Sequence, residues 1–164
     1  MIIMKSHLKR LTAPKTWPIL KKAQTFITRP AGSGTPLMYS VPIVVAFKDM
    51  LGLANTTKEV KHILHGFEVQ VDGNRAHNHD ASVGFLGSVA IPSQKAYHRL
   101  TINDKNTLVF VPITSEEANL RPCRIDGKTL TKKGVQLNLS GGMNLLVKKD
   151  EYKVGGTAVI DLQR

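Results

Sequence analysis

Residues 56 to 73 constrain the fold more than any other stretch. Thr56-Thr57-Lys58-Glu59-Val60-Lys61-His62-Ile63-Leu64-His65-Gly66 reads as a short helix, capped by Thr56 or Thr57 and stopped at Gly66. Val60, Ile63, Leu64 and Phe67 recur at the spacing of one helix face, and Lys58, Lys61, His62 and His65 recur on the opposite face. One side can enter a core while the other presents positive charge to an anion. The chain then alternates as a strand, with Val69 and Val71 to one side, and turns at Asp72-Gly73, a strong hairpin signal.

A second helix is expected just before, from Pro42 to Leu51, with Ser40 as its cap, a Pro in its first turn and Gly52 as its stop. Two short helices followed by a strand and a turn, with the runs Lys48-Asp49-Met50-Leu51-Gly52-Leu53-Ala54, Ile63-Leu64-His65-Gly66 and Val83-Gly84-Phe85, resemble the S-four-type RNA-binding domain. That domain is attached to many different proteins.

The charge is unevenly placed. The 164 residues carry 23 Lys and Arg against 12 Asp and Glu, a net +11 that points to a polyanion such as nucleic acid. Residues 1–39 carry seven basic residues (Lys5, Lys9, Arg10, Lys15, Lys21, Lys22 and Arg29) and no acid, for +7. Residues 40–93 come to −1 and residues 94–164 to +5. The central segment must therefore use charge locally, through Lys48, the Lys58/Lys61/His62 face and the loop holding Arg75 and His77. The N-terminal segment is too rich in Pro for a long helix and reads as a basic arm. It is expected to be poorly ordered in free solution. Its basic residues can each neutralise a phosphate, and Trp17 either stacks on a base or anchors the arm to the core. Pro30-Ala31-Gly32-Ser33-Gly34-Thr35-Pro36 reads as a turn-rich linker.

The run His7-Leu8-Lys9-Arg10-Leu11, then Ala13-Pro14, Trp17 and Lys21, is similar to the N-terminal motif of the archaeal and eukaryotic S-four-e family of small-subunit ribosomal proteins. Cys123-Arg124-Ile125-Asp126-Gly127-Lys128-Thr129, Val135-Gln136-Leu137-Asn138-Leu139 and Glu151-Tyr152-Lys153-Val154-Gly155 resemble it too, so the likeness covers essentially the whole chain. The sequence departs from the family at the looser, uncharged linker and at the sparser loop from Asn74 to Asp80. Gly87 stands where an Asp is usual. Family members usually continue into a further KOW-type β-barrel. The sequence ends at Arg164, so that module is expected to be absent.

From Tyr97 onward the pattern is β. Tyr97–Asn103 and Thr107–Ile113 form one hairpin, Ser115–Ala118 one helical turn, and Asp126-Gly127 marks a further hairpin. Val135–Leu139, Met143–Val147 and Thr157–Leu162 complete a small antiparallel barrel or sandwich. Lys128, Lys132 and Lys133 cluster on one hairpin within reach of phosphate, or serve as a solvated turn.

The expected fold is α+β: a basic extended arm over 1–39, an S-four-type domain over 40–93 and a β-rich domain over 94–164. Enzymatic classes find no support. There is no phosphate-binding Gly loop and no nucleophile motif. Adjacent Glu116 and Glu117 cannot face one substrate. Cys123 stands alone and reads as a small buried hydrophobe, and His77, His79 and Asp80 fall short of a metal site. No cofactor, small-molecule substrate or membrane partner is expected, since no stretch approaches a membrane span. The resemblance implies a structural constituent of the cytoplasmic small ribosomal subunit, whose partners are ribosomal RNA and neighbouring ribosomal proteins. An RNA-modifying factor or a free-standing RNA adaptor is the alternative.

Overall fold

The computed structural model describes residues 7–32, 34–132, 134–148 and 150–162. The elements begin with the short strands β1 (Leu8–Lys9), β2 (Phe26–Ile27) and β3 (Ser40–Pro42), then helix α1 (Ile43–Val45), which continues as a π-turn over Ala46–Met50, then α2 (Thr57–Gly66). Strands β4 (Gln70–Val71), β5 (Asn74–Arg75), β6 (Ser82–Gly84), β7 (Ser88–Ile91), β8 (Ala96–Ile102) and β9 (Leu108–Pro112) follow. After the single turn α3 (Ser115–Ala118) come β10 (Leu120–Thr131), β11 (Gly134–Leu139), β12 (Met143–Val147) and β13 (Thr157–Asp161).

Two hydrophobic cores organise these elements. The larger gathers Ile43, Val45 and Phe47 from the first helical segment, Val60 and Leu64 from α2, Val69 just before β4, and Val89, Ile91, Leu100 and Leu108 from the sheet. Each such side chain contributes about 1.5–3 kcal/mol by leaving water. The sheet over this core is five-stranded and antiparallel, in the order β5-β4-β7-β8-β9. The expected division at residue 93 therefore falls inside one sheet, between the paired strands β7 and β8. The smaller core is built from Cys123, Ile125, Val135, Leu137 and Leu139 under the antiparallel sheet β12-β11-β10-β13. Its order leaves β12 and β13 as edges among the described residues, so where a small antiparallel barrel or sandwich is expected the sheet is antiparallel and does not close into a full barrel. Burial pushes the Cys123 thiol up, which keeps it protonated.

Several local expectations are corrected. Ser40 does not cap the first helix; it sits in β3 and donates its hydroxyl to the Pro36 carbonyl. The helix starts behind Pro42 with no side-chain cap. Asp126-Gly127 is not a hairpin: β10 runs through it, and the register with β11 shifts between Ile125 and Gly127. This bulge lets one long strand serve two partners, β13 along Leu120–Arg124 and β11 beyond.

The N-terminal arm is folded over its described residues. Trp17 is only 2% exposed and lies in the larger core with Ala13 and Ile27. Around it, the Leu108 amide donates to the Thr16 carbonyl at 2.7 Å, and the Thr16 hydroxyl donates to the Met38 carbonyl at 2.6 Å. Trp17 therefore anchors the arm and is not available to stack on a base. Trp17→Ala is expected to cost about 3–5 kcal/mol in chemical denaturation, as for other buried large-to-small changes. The fluorescence of the unmodified protein, free of any partner, should show a buried indole. Emission of an exposed indole would mean that the arm is not docked.

Candidate nucleic-acid interface

Helix α2 presents its cationic face because both its start and its apolar stripe are fixed. The Thr56 hydroxyl accepts the Glu59 N–H at 3.2 Å, and the Glu59 carboxylate accepts the Asn55 N–H at 2.7 Å and the Thr56 O–H at 2.9 Å. Val60 and Leu64 are buried and Ile63 is half-buried, which leaves Lys58, Lys61, His62 and His65 exposed on the other side. Phe67, expected on the apolar stripe, lies past the helix end and is exposed.

The arm contributes less charge to the surface than its composition suggests. Arg10 is 5% exposed: its Nε donates to the Leu20 carbonyl at 2.7 Å and its Nη2 to Asp49 Oδ1 at 2.5 Å. An Arg so engaged fixes the arm's loop to the π-turn and is not a phosphate contact. Lys21 is half-buried and donates to the Ala13 carbonyl. His7, Lys9, Lys15, Lys22 and Arg29 remain exposed; Lys5 lies outside the described residues.

Pairing of β1 with β2 turns part of the arm into a wall. Between it and the loop carrying His79 and Asp80 runs a groove of about 370 Å³, lined also by His7, Phe26 and Arg29. The Ala31 amide donates to the Asp80 carbonyl at 2.8 Å and holds the far side in place. Beyond the same β2 wall a smaller hollow of about 80 Å³ reaches Gln24, Lys48, Asp49 and Thr57, at the start of α2. Phe26 lines both, is 56% exposed, and lies 5.9 Å from the His7 ring at a 51° tilt. Phe26 is the aromatic that the sequence reading missed. Its one signal was the basic and polar company of Gln24, Thr25, Thr28 and Arg29.

The structure thus brings His7, Arg29 and Lys48 around Phe26, with the α2 face beginning at Thr57. Arg75 and His77 are exposed elsewhere, at and after the edge strand β5. Lys128 is half-buried and ion-paired to Asp150, and Lys132 is exposed at the β10–β11 turn in the other lobe. Lys133 lies outside the described residues.

The comparisons agree with the sequence resemblance. A model described as ribosomal family S4e matches residues 94–164, and one described as the RS4NT domain matches residues 4–32. The small ribosomal subunit protein eS4 of Methanothermobacter thermautotrophicus is 34% identical over 165 residues, covering 99% of this chain and 68% of its own length. The chain belongs to ribosomal family S4e. Another S4e relative, the small ribosomal subunit protein eS4 of Methanosphaera stadtmanae, is 37% identical over 159 residues, and the match spans 96% of this chain but 66% of that relative. The crystal structure of the 30S ribosomal protein S4e from Thermoplasma acidophilum superposes with a TM-score of 0.63 at 25% identity, over 76% of this chain and 64% of that one. The RS4NT match contains both Trp17, which holds the arm, and Phe26, which the held arm exposes.

The Thr56–Glu59 box has a pH signature. The amide of Asn55 and then the hydroxyl of Thr56 hold the Glu59 carboxyl below its ordinary value. Its support for α2 is complete above the ordinary Glu pKa and is lost as pH falls through the lowered value. In an NMR titration the Asn55 amide shift should therefore move with a midpoint below the usual Glu range, and Glu59→Gln should abolish that movement. An unshifted midpoint would remove the box.

Proposed function

We propose that this chain is a structural, non-enzymatic component of the small ribosomal subunit, acting in the cytoplasmic ribosome, and that it binds ribosomal RNA through the surface around Phe26. The observation that carries the reading is the half-exposed Phe26 ring set among His7, Arg29 and Lys48 beside the cationic face of α2. Aromatic rings stack on unpaired bases with little sequence preference, and surrounding cations neutralise phosphates. The relatives' own names, small ribosomal subunit protein eS4, point the same way.

Residues 40–93 act as an S-four-type RNA-binding unit in this reading. Lys48, Lys58, Lys61 and Arg75 are its phosphate contacts, with His62 and His77 beside them, and Lys9, Lys15, Lys22 and Arg29 add those of the arm. Lys128 and Lys132 offer a second, weaker contact from the other lobe. Neighbouring ribosomal proteins complete the partners, and no cofactor, small-molecule substrate or membrane enters the function. No helix among the described residues is long and apolar enough to cross a membrane.

Binding of the full chain to small-subunit ribosomal RNA across a salt series tests this. Each lost phosphate contact lowers the log–log slope by about 0.7–0.9, so Lys9→Gln/Lys15→Gln/Lys22→Gln should lower it by roughly 2, and Lys58→Gln/Lys61→Gln by roughly 1.5. Phe26→Ala should weaken binding about tenfold while leaving the slope unchanged. Slopes that none of these changes moves would place the RNA elsewhere.

A further inference from the structure

The two lobes meet across a cleft of about 720 Å³ that the surface around Phe26 does not include. Tyr39 and Phe85 stand on its wall with ring centroids 6.4 Å apart and a 49° tilt, each more than a third exposed. Two buried polar atoms of cleft residues, Thr35 Oγ1 and Arg121 Nε, have no hydrogen-bond partner among the described residues. Such groups are rarely left unmatched in a folded protein. Arg121 itself is 7% exposed, with its Nη1 committed to Asp72. Space around the two orphan side chains is kept by glycine: a Cβ on Gly84 would lie 2.6 Å from Thr35 Oγ1, and one on Gly141 would lie 2.7 Å from Arg121 Nη2.

Arg124 adds charge to the same cleft. Its nearest carboxylate, Asp126, is 3.9 Å away, and both side chains are largely exposed, so this pair is weak and readily exchanged for another anion. With Asp72 already answered by Arg121, the cleft offers a spare guanidinium, two aromatic faces, a hydroxyl that can donate or accept, and a buried N–H donor. A planar, hydrogen-bonding, anionic ligand satisfies all of these together. A purely apolar occupant would leave the orphan atoms unmatched.

We propose that the inter-lobe cleft receives one unpaired nucleotide of the bound RNA, with its base against Tyr39 and Phe85, the base edge at Thr35 and Arg121, and a phosphate at Arg124. This rests on the RNA-binding reading above. It makes the junction between the lobes a reader of single-stranded RNA, separate from the phosphate-tracking surface around Phe26.

The test uses the full chain with two probes: an unstructured oligouridylate and a structured fragment of small-subunit ribosomal RNA. Tyr39→Leu/Phe85→Leu, which keeps apolar bulk, should weaken the oligouridylate about tenfold, while the structured fragment keeps the salt slope of the unmodified protein. Thr35→Val should weaken the oligouridylate several-fold with no loss of melting temperature, because it removes an unmatched hydroxyl; a merely structural role would lower the melting temperature instead. Photocrosslinks of the oligouridylate should map to residues 35–39, 85 and 121–126. Equal oligouridylate binding by the variants, or crosslinks confined to the Phe26 groove, would overturn the cleft assignment and leave the RNA-binding reading intact. Failure of the unmodified chain to bind the structured fragment would remove both.

Discussion

The structure depends on the ion pair between Asp72 and Arg121, a largely buried charged contact that joins elements of the two cores. Asp72 occupies a two-residue turn between β4 and β5 with φ of 50°, followed by Gly73 at 75°, the positive-φ pair that a type I′ hairpin requires. That turn aims the carboxylate inward, where it accepts the Ser88 amide at 2.8 Å and Arg121 Nη1 at 2.5 Å. Burial raises the Asp72 carboxyl from its ordinary value, opposed by the attraction of Arg121, the Ser88 N–H and Arg99. Removing one partner would strand a buried charge, at a cost of about 3–5 kcal/mol, although replacing both by apolar groups can be neutral. The pair thus does more to fix one arrangement of the lobes than to stabilise either. Gly87 is part of the same device: a Cβ there would lie 3.0–3.2 Å from the Asp72 carboxylate oxygens and 2.8 Å from the Gly84 carbonyl. The acid that resemblance to the family leads one to expect at position 87 would crowd Asp72 as it is placed here.

Guanidinium groups recur as fasteners. Arg99 on β8 donates to the carbonyls of Glu117 and Leu120, both at 2.6 Å, and so pins α3 and the start of β10 to the larger sheet. Arg10 does the same for the arm with Leu20 and Asp49. A guanidinium suits this task because its planar fork satisfies two acceptors at once and is weakly hydrated for a cation. The consequence is electrostatic: Arg10 and Arg121, two of the arginines behind the net +11, are buried and neutralised by Asp49 and Asp72, so the outward field comes mainly from lysines and from the less buried arginines.

The parts of this architecture that were legible in the sequence are those decided within a few residues. The cap at Thr56 or Thr57, the Asp72-Gly73 turn and the alternation of Val135–Leu139 each specify a local geometry, and each forms, with Thr56 as the cap. What was not legible depends on contacts across tens of residues. Nothing near Trp17 or Phe26 says which ring faces water; the choice is made by Leu108 and Met38, which bond the turn carrying Trp17 from distant parts of the chain. Likewise Asp126-Gly127 has hairpin composition, yet pairing of β10 with β13 before it and β11 after it makes an extended bulge the lower-energy outcome. The basic residues at 9, 10, 15, 21, 22 and 29 look equivalent in sequence. Packing divides them into a buried fastener, a tethered lysine and an exposed set.

A docked arm changes the energetics expected of RNA binding. A free basic tail would lose conformational entropy when it ordered on a polyanion, and that loss would subtract from the gain of phosphate neutralisation. Here Trp17, Arg10 and the β1–β2 pairing meet that cost within the folded chain. Phe26 and its neighbouring cations are then presented on a wall already fixed against the core, and the helix face at Lys58 and Lys61 is fixed by the same core through Val60 and Leu64. In the proposed reading, a preorganised surface of this kind loses little freedom on association, so fewer exposed charges would hold an RNA than a disordered arm would require.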